Sequence, residues 1–525
     1  MSRNKYRRRD FLLQGLATGS LFLPFTHALV WAQQSDGAKK LLRLPKVALV
    51  IGNSRYQNTP PLKNPANDAK AIAETLQQAG FAVDIKQDLS RREMLVAINS
   101  YADLLETKKC VGLFYFAGHG LQLAWKNYLI PVDASIGQLK DIALQGVDVT
   151  TLMARLTTAA NAMNIVILDA CRDNPFGKEA NVDQKGLSQL DAPPSTLLAY
   201  ATSPGNVASD GDGANGLYTE NLLREMRVRD AKIEDVFKRV RLSVRRKSAG
   251  AQIPWESTSL EEDFYFLPPE QLKTLSVDER ENEYREQASK WEKVRGSKQV
   301  SALEGFLQRY PAGEFSELAQ FQLDRLLHQQ GEKRIQVVSS VGNPYTKGSS
   351  TANTAFRVGD RYEYRKVDIL TGVESEQLIR QVVNVSEDRV EFSSGFSTDL
   401  LGNDLTHPNG LTFSAHQRFP LEYAIGKKWS TRFVESRADG SERHSTLDLA
   451  IVAREKITVP AGTFDVFHIQ GSGYSTFSRG VLALSWEAWM APDQLRRPVA
   501  EQLIRRKRGA IRSSNRFELV NFLQS

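Results

Sequence analysis

Cysteine is scarce in this chain: its 525 residues include only Cys110 and Cys171. That excludes the disulfide framework that staples small secreted domains. Cys110 opens one apolar run and Cys171 follows the end of another. Several residues of strand, at about 3.3 Å each, separate the two, whereas a disulfide tolerates only about 7 Å between Cα atoms. The spacing argues against an internal bridge. Cys171 is expected to be a free thiol and Cys110 a small buried hydrophobe.

Long apolar runs are also missing. Beyond residue 32 no segment has the uninterrupted length that spans a bilayer. The opening stretch reads as an address. Arg7-Arg8-Arg9-Asp10-Phe11-Leu12-Leu13 is a twin-arginine pattern, Phe11 to Ala32 is uncharged, and Val30-Trp31-Ala32 offers a signal-peptidase site. Residues 1–32 are therefore expected to be a Tat signal for export to the periplasm or beyond. An uncleaved anchor is the alternative, against which Pro24 and the modest apolarity count. Strong charge bias is absent too. The net charge of +7 falls by 4 to +3 once Arg3, Lys5, Arg7, Arg8, Arg9 and Asp10 are removed. Nucleic acid is not an expected partner, and Arg505 to Arg508 reads as a solvated face.

What is present is an ordinary globular composition, 41% apolar and 25% charged, in a chain long enough for two to four domains. From Pro45 to Phe266 apolar strands alternate with amphipathic helices, the pattern of a mainly parallel sheet with helices on both faces. Strands are expected at 47–52, 81–85, 111–116, 165–168, 196–202 and 264–266. Helices are expected at 67–79, 91–106, 150–158, 218–226 and 233–244. After Leu267-Pro268-Pro269 the composition changes. Residues 269–328 form a charged helical segment, read as two antiparallel helices broken at Tyr310-Pro311-Ala312-Gly313. Residues 329–355 read as a linker. Residues 356–525 alternate in β-type runs between turn signals, an antiparallel sheet or barrel with no catalytic cluster.

Two segments carry chemistry. Tyr115-Phe116-Ala117-Gly118-His119-Gly120 and, about 50 residues on, Ile167-Leu168-Asp169-Ala170-Cys171-Arg172 are apolar runs that stop at a reactive side chain. Sites in parallel sheets gather at the carboxyl ends of strands. One strand ending in His and another in Cys would bring a base to a thiol, which points to a cysteine peptidase. A thiol is a useful nucleophile only when ionised, and an imidazole or helix N-terminus favours the thiolate. His119 would then protonate the leaving amine. The backbone N–H groups of Gly120 and Cys171 would form the oxyanion hole, and a missing Cβ at Gly120 would let a carbonyl approach. The bland alternative is that both are ordinary strand-end residues.

These motifs resemble the caspase and metacaspase superfamily, most closely bacterial caspase-like proteins whose cysteine segment reads as Ala170 to Phe176 does here. Val47 to Asn53, Asn64 to Ala69, Tyr200 to Gly205 and Trp255 to Phe266 match as well, so the resemblance covers about residues 45–268. It implies a caspase-like α/β domain there, followed by the helical segment and a β-rich C-terminal domain. It also bears on specificity. No arginine stands in Leu62 to Asp68, where caspases place one to select Asp. Asp68 and Asp169 match the metacaspase acids that select Arg or Lys, and Asp169 lies on the Cys171 side of its strand. The alternatives are that Asp68 caps its helix and Asp169 is a local hydrogen-bonding acid.

Departures are Asp169 and Asp173, where the caspase motif has Gln and Gly, and Ala117, where metacaspases often have Ser. Leu121 to Pro131 holds no carboxylate, so no calcium, other metal or cofactor is expected. Lys178 and Lys185, in a polar loop, are candidate self-cleavage sites. The expectation is an exported cysteine endopeptidase acting on proteins or peptides after Arg or Lys. Its rivals are a non-catalytic scaffold of the same fold, whose C-terminal domain binds a protein partner or the envelope, and a regulator activated only by a partner.

Overall fold

The computed structural model describes residues 37–171, 187–203, 213–270, 276–332, 343–478 and 480–525. Its first half is an α/β sheet. β1 (Lys46–Gly52), β2 (Ala82–Gln87), β3 (Val111–Leu123), β4 (Lys126–Leu129), β5 (Val147–Asp148), β6 (Met163–Cys171), β7 (Thr196–Tyr200) and β8 (Trp255–Thr258) belong to it. The order is β2-β1-β3-β6-β7-β8, with β4 and β5 hanging from the end of β3. Pairing is parallel from β2 to β7 and antiparallel between β7 and β8.

The apolar runs are continuous because both faces are covered. On β1, Ala48 and Val50 enter one core while Val47, Leu49 and Ile51 enter the other. On β3, Leu113 and Tyr115 alternate in the same way with Phe114 and Phe116. Helices α1 (Pro65–Gln78), α5 (Leu217–Met226) and α6 (Ile233–Lys247) pack on the first face. Helices α2 (Arg91–Lys108) and α4 (Val149–Ala159) pack on the second, with the short α3 (Leu139–Gln145) between β4 and β5. Pro at the first position of α1 suits a helix start. Ser90 opens α2 with a capping box, its side chain accepting from the Glu93 N–H while the Glu93 carboxylate takes the Ser90 N–H.

Several expectations need correction. The strand expected at 111–116 continues to Leu123: after the parallel ladder stops, the chain turns back through Ala124 and Trp125, both at positive φ, into β4. Residues 264–266 form no strand. Phe264 and Phe266 are buried core residues beside a single bridge from Tyr265 to Lys232, and the edge strand is β8. The charged segment holds three helices, α7 (Val277–Val294), α8 (Val300–Arg309) and α9 (Ser316–Gln329), because the chain breaks near Ser297 as well as at Pro311. Stacked Trp291 and Phe315 join them.

The C-terminal part is a closed antiparallel barrel in which the first strand, Arg361–Asp368, pairs with the last, Ala510–Leu523. Alternation along its strands sends every second residue inward, as Leu447, Leu449 and Ile451 show. The helical segment ties the two halves. Asp324 of α9 pairs with Arg245 of α6, and Glu317 of α9 pairs with Lys427 of the C-terminal half at 2.6 Å. Arg241 of α6 bridges Glu256 of the sheet at 3.0 Å and Glu422, in a short strand paired with Ser349–Thr351 outside the barrel, at 3.2 Å. Among the described residues no helix is long and apolar enough to cross a membrane.

Candidate active site

The chain runs from β1 outward to β2 and then returns to β3 on the other side of β1. That reversal opens a crevice at the carboxyl ends of β1 and β3, where open α/β sheets form their sites. The loop after β1 enters it. Asn53, fully buried, accepts the Leu89 N–H at 3.0 Å and donates to the Ile130 carbonyl at 3.2 Å. The Tyr56 hydroxyl accepts the His119 N–H at 2.7 Å and donates to the Ile130 carbonyl at 3.3 Å.

His119 thus leaves the regular ladder. The pairing of β3 with β1 ends at Ala117 opposite Gly52, and Gly118 follows at φ +152°. A Cβ on Gly118 would lie 2.7 Å from the Tyr56 hydroxyl, so only glycine permits this turn. The pairing of β3 with β6 runs two residues further and ends with His119 opposite Cys171. The two sequence-selected residues are direct Cα partners on adjacent strands.

The His119 imidazole is buried, with its ring centroid 4.5 Å from that of Tyr56. Neither ring nitrogen has a hydrogen-bond partner among the described residues. Burial pushes its pKa down to about 4, so the ring is neutral at pH 7. Gly120 begins the hairpin with β4. A Cβ there would sit 2.8 Å from the Ala170 Cβ and 3.1 Å from Leu187, so close packing beside the Cys171 segment already demands glycine.

Asp68 and Asp169 lie around a shared phenol. Asp169, half-buried, accepts from the Thr219 hydroxyl at 2.6 Å and the Tyr115 hydroxyl at 3.1 Å. Buried Asp68 accepts from the Asn215 amide at 2.8 Å and the Gly216 N–H at 3.0 Å. Gly216 is the N-cap of α5, so Asp68 anchors the start of that helix from its place in α1. Burial, and then the charges of Asp169 and Asp68, hold the Tyr115 phenol well above its usual range. Both acids therefore act on one spot of the first sheet face.

Tyr56, Thr219 and Asn215 were missed by sequence reasoning. Each is polar in a loop or helix with no neighbouring reactive residue, and only the packing of α5 and the β1 loop brings it in. Cys110 is free and fully buried, its N–H bonded to the Asn161 side chain at 2.7 Å, and burial pushes its thiol pKa up. Its neighbour Val111 pairs with Met163 at the opposite end of β6 from Cys171, roughly 30 Å of strand away. Lys178 and Lys185 lie outside the described residues, as does the proposed signal, residues 1–32.

Residues 45–265 match the family model of the caspase domain. The human mucosa-associated lymphoid tissue lymphoma translocation protein 1 is 31% identical over 192 residues, 36% of this chain but 22% of that protein. Its mouse homologue is similar to the same extent. Mouse caspase-1 is 22% identical over 288 residues, covering 51% of this chain and 71% of its own length. The chain thus spans about a fifth of the length of the first of these relatives. With the sheet order and helix placement described above, the match identifies residues 45–265 as a caspase-like domain.

Proposed function

We propose that this domain is a cysteine endopeptidase that cleaves proteins or peptides after Arg or Lys. The observation that carries the reading is the register of His119 with Cys171 at the end of the β3–β6 ladder. In the proposed reaction the Cys171 thiol passes its proton to the neutral His119 imidazole. The sulfur then attacks the scissile carbonyl carbon. The backbone N–H groups of Gly120 and Cys171 stabilise the oxyanion, a role worth about 3–4 kcal/mol of barrier. Collapse breaks the C–N bond, His119 returns the proton to the leaving amine, and a thioester remains. Water, deprotonated by His119, hydrolyses it and restores the thiol.

Asp68 and Asp169 supply the negative charge that receives a cationic side chain. The hydroxyl, amide and backbone donors described above hold the two carboxylates in place. Self-cleavage after Lys178 or Lys185, export through the twin-arginine signal, and recruitment of a protein partner by the C-terminal half belong to the same proposal.

Peptides ending in Arg, Lys or Asp before the scissile bond, tested with wild type, Cys171→Ala and His119→Ala, decide it. Turnover of the basic peptides that both variants lose is the expected result. Cleavage after Asp would overturn the specificity. An absence of turnover, together with capture of a partner by the intact chain, would replace the enzyme with a scaffold. A single band from active enzyme, unchanged by Cys171→Ala, would remove self-cleavage.

A further inference from the structure

The barrel encloses a cavity of about 270 Å³, close to the lower bound of the roughly 300–1,000 Å³ typical of small-molecule sites. Its lining combines two chemistries. Phe433, Leu447, Leu484 and Trp486, all buried, form an apolar floor. Around them stand Lys366, Arg380, Arg418, Arg497 and Arg505, five cationic side chains against three carboxylates, Asp404, Glu435 and Glu501.

Each carboxylate is already committed. Asp404 is paired with Arg418 and lies 3.4 Å from His407. Glu501 accepts from the Trp486 indole at 2.8 Å and from Arg418 at 3.4 Å. Glu435 holds Arg443, at 3.2 Å. Lys366 has Glu376 at 3.4 Å. Arg380, Arg497 and Arg505 are left facing the cavity with no carboxylate partner among the described residues.

Arg380 and Arg497 are stabilised instead by aromatic contact. Their guanidinium carbons lie 4.0 Å and 5.4 Å from the centroid of the same Phe396 ring. Arg497 is 2% exposed, donates to the Gly402 carbonyl at 3.1 Å, and leaves its Nε without a partner. Burial, and then the charge of Arg497, push half-buried Arg380 down to about 10, against the opposing pull of Asp404 and Glu501. Gathering three guanidiniums, one buried and two half-buried, around one cavity with no carboxylate in direct contact is costly. A bound anion removes that cost, and guanidinium is the side chain suited to carboxylate and phosphate. Half-buried Lys366, Leu411 and Arg505 form the side of the lining open to solvent.

We propose that the barrel is a binding site for a small anionic amphiphile, its carboxylate or phosphate head held by Arg380, Arg497 and Arg505 and its short apolar body resting on the aromatic and aliphatic floor. The site stands apart from the His119–Cys171 end of the sheet and does not depend on peptidase activity.

Calorimetric titration of the full chain with octanoate, octyl phosphate, octanol, octyltrimethylammonium and inorganic phosphate tests it. Octanoate or octyl phosphate is expected to bind at least tenfold more tightly than octanol, the ammonium or inorganic phosphate. Which of the two binds better separates a carboxylate ligand from a phosphate one. Arg380→Gln, and independently Arg505→Gln nearer the mouth, are each expected to weaken the preferred anion tenfold or more while leaving octanol unchanged. Equal binding of octanol and the anions, preference for the ammonium, inorganic phosphate matching octyl phosphate, or no binding by wild type would overturn the proposal. So would undiminished binding in both variants.

Discussion

The two halves of this protein use buried polar groups in opposite ways. In the caspase-like sheet both faces are largely apolar, and the proposed catalytic groups gather at the strand ends. The His119 ring nitrogens stand there without a hydrogen-bond partner among the described residues. In the barrel the inward face is itself the core, and it buries a charge network in which Arg418 serves both Asp404 and Glu501. An open sheet exposes its carboxyl ends to a crevice, so a reactive group can sit at an edge of the core. A closed barrel has no such edge, and any polar site must be built among interior side chains that satisfy one another.

The sharpest way to break this comparison is at the strand ends. Cys171→Ala and His119→Ala are each expected to lower peptide turnover by at least about a thousandfold, with thermal unfolding little changed. Residual activity in Cys171→Ala would remove the nucleophile. In the barrel the largest stability effect is expected from Arg418→Ala, which leaves two interior carboxylates without their guanidinium and should cost about 3–5 kcal/mol. A calorimetric scan should show the loss in the barrel's transition. An equal fall in peptidase turnover would mean that the two halves unfold as one unit.

Gly118→Ala sharpens the comparison from the other side. A side chain at φ +152°, 2.7 Å from the Tyr56 hydroxyl, is expected to cost about 1–3 kcal/mol and to reduce turnover by displacing His119. Denaturant titration beside peptide kinetics would measure both, and a neutral result would show that the turn into His119 has slack.

His416, inside the barrel half, is 2% exposed and its pKa is pushed down to about 4 by burial and then by Arg418. Between pH 6.5 and 4 the unfolded imidazole binds a proton that the folded one does not, so this residue makes stability fall as the solution is acidified. At pH 5 wild type should have lost about 2 kcal/mol more than His416→Asn, relative to pH 7. Parallel unfolding curves at both pH values would rule this out. The smallest effect belongs to Ser90→Ala, which removes the capping box of α2 and should cost about 1 kcal/mol with turnover intact.

The alternating elements of residues 45–265 were legible because each is a local pattern: a short apolar run, or apolar residues at helical spacing. Their outer limits were less so. Nothing local marks where β3 stops, since Leu121 and Leu123 continue an apolar alternation, and only the partner strand changes at Gly120. Phe264 to Phe266 read as a strand for the converse reason: burial among α1, α6 and β2 produces the same apolar composition without sheet pairing.

By itself the sequence determined which residues carry reactive groups, which runs must be buried on both faces, and that Cys110 and Cys171 belong to different elements. Tertiary structure alone decided that His119 faces Cys171 in register, that Tyr56 and Gly118 turn the chain there, and that Asp68 reaches across to the start of α5. It also decided that three arginines from separate barrel strands and turns converge on one cavity. The reason is physical: propensity and periodicity act over a few residues, whereas register and convergence are set by packing between segments far apart in the chain.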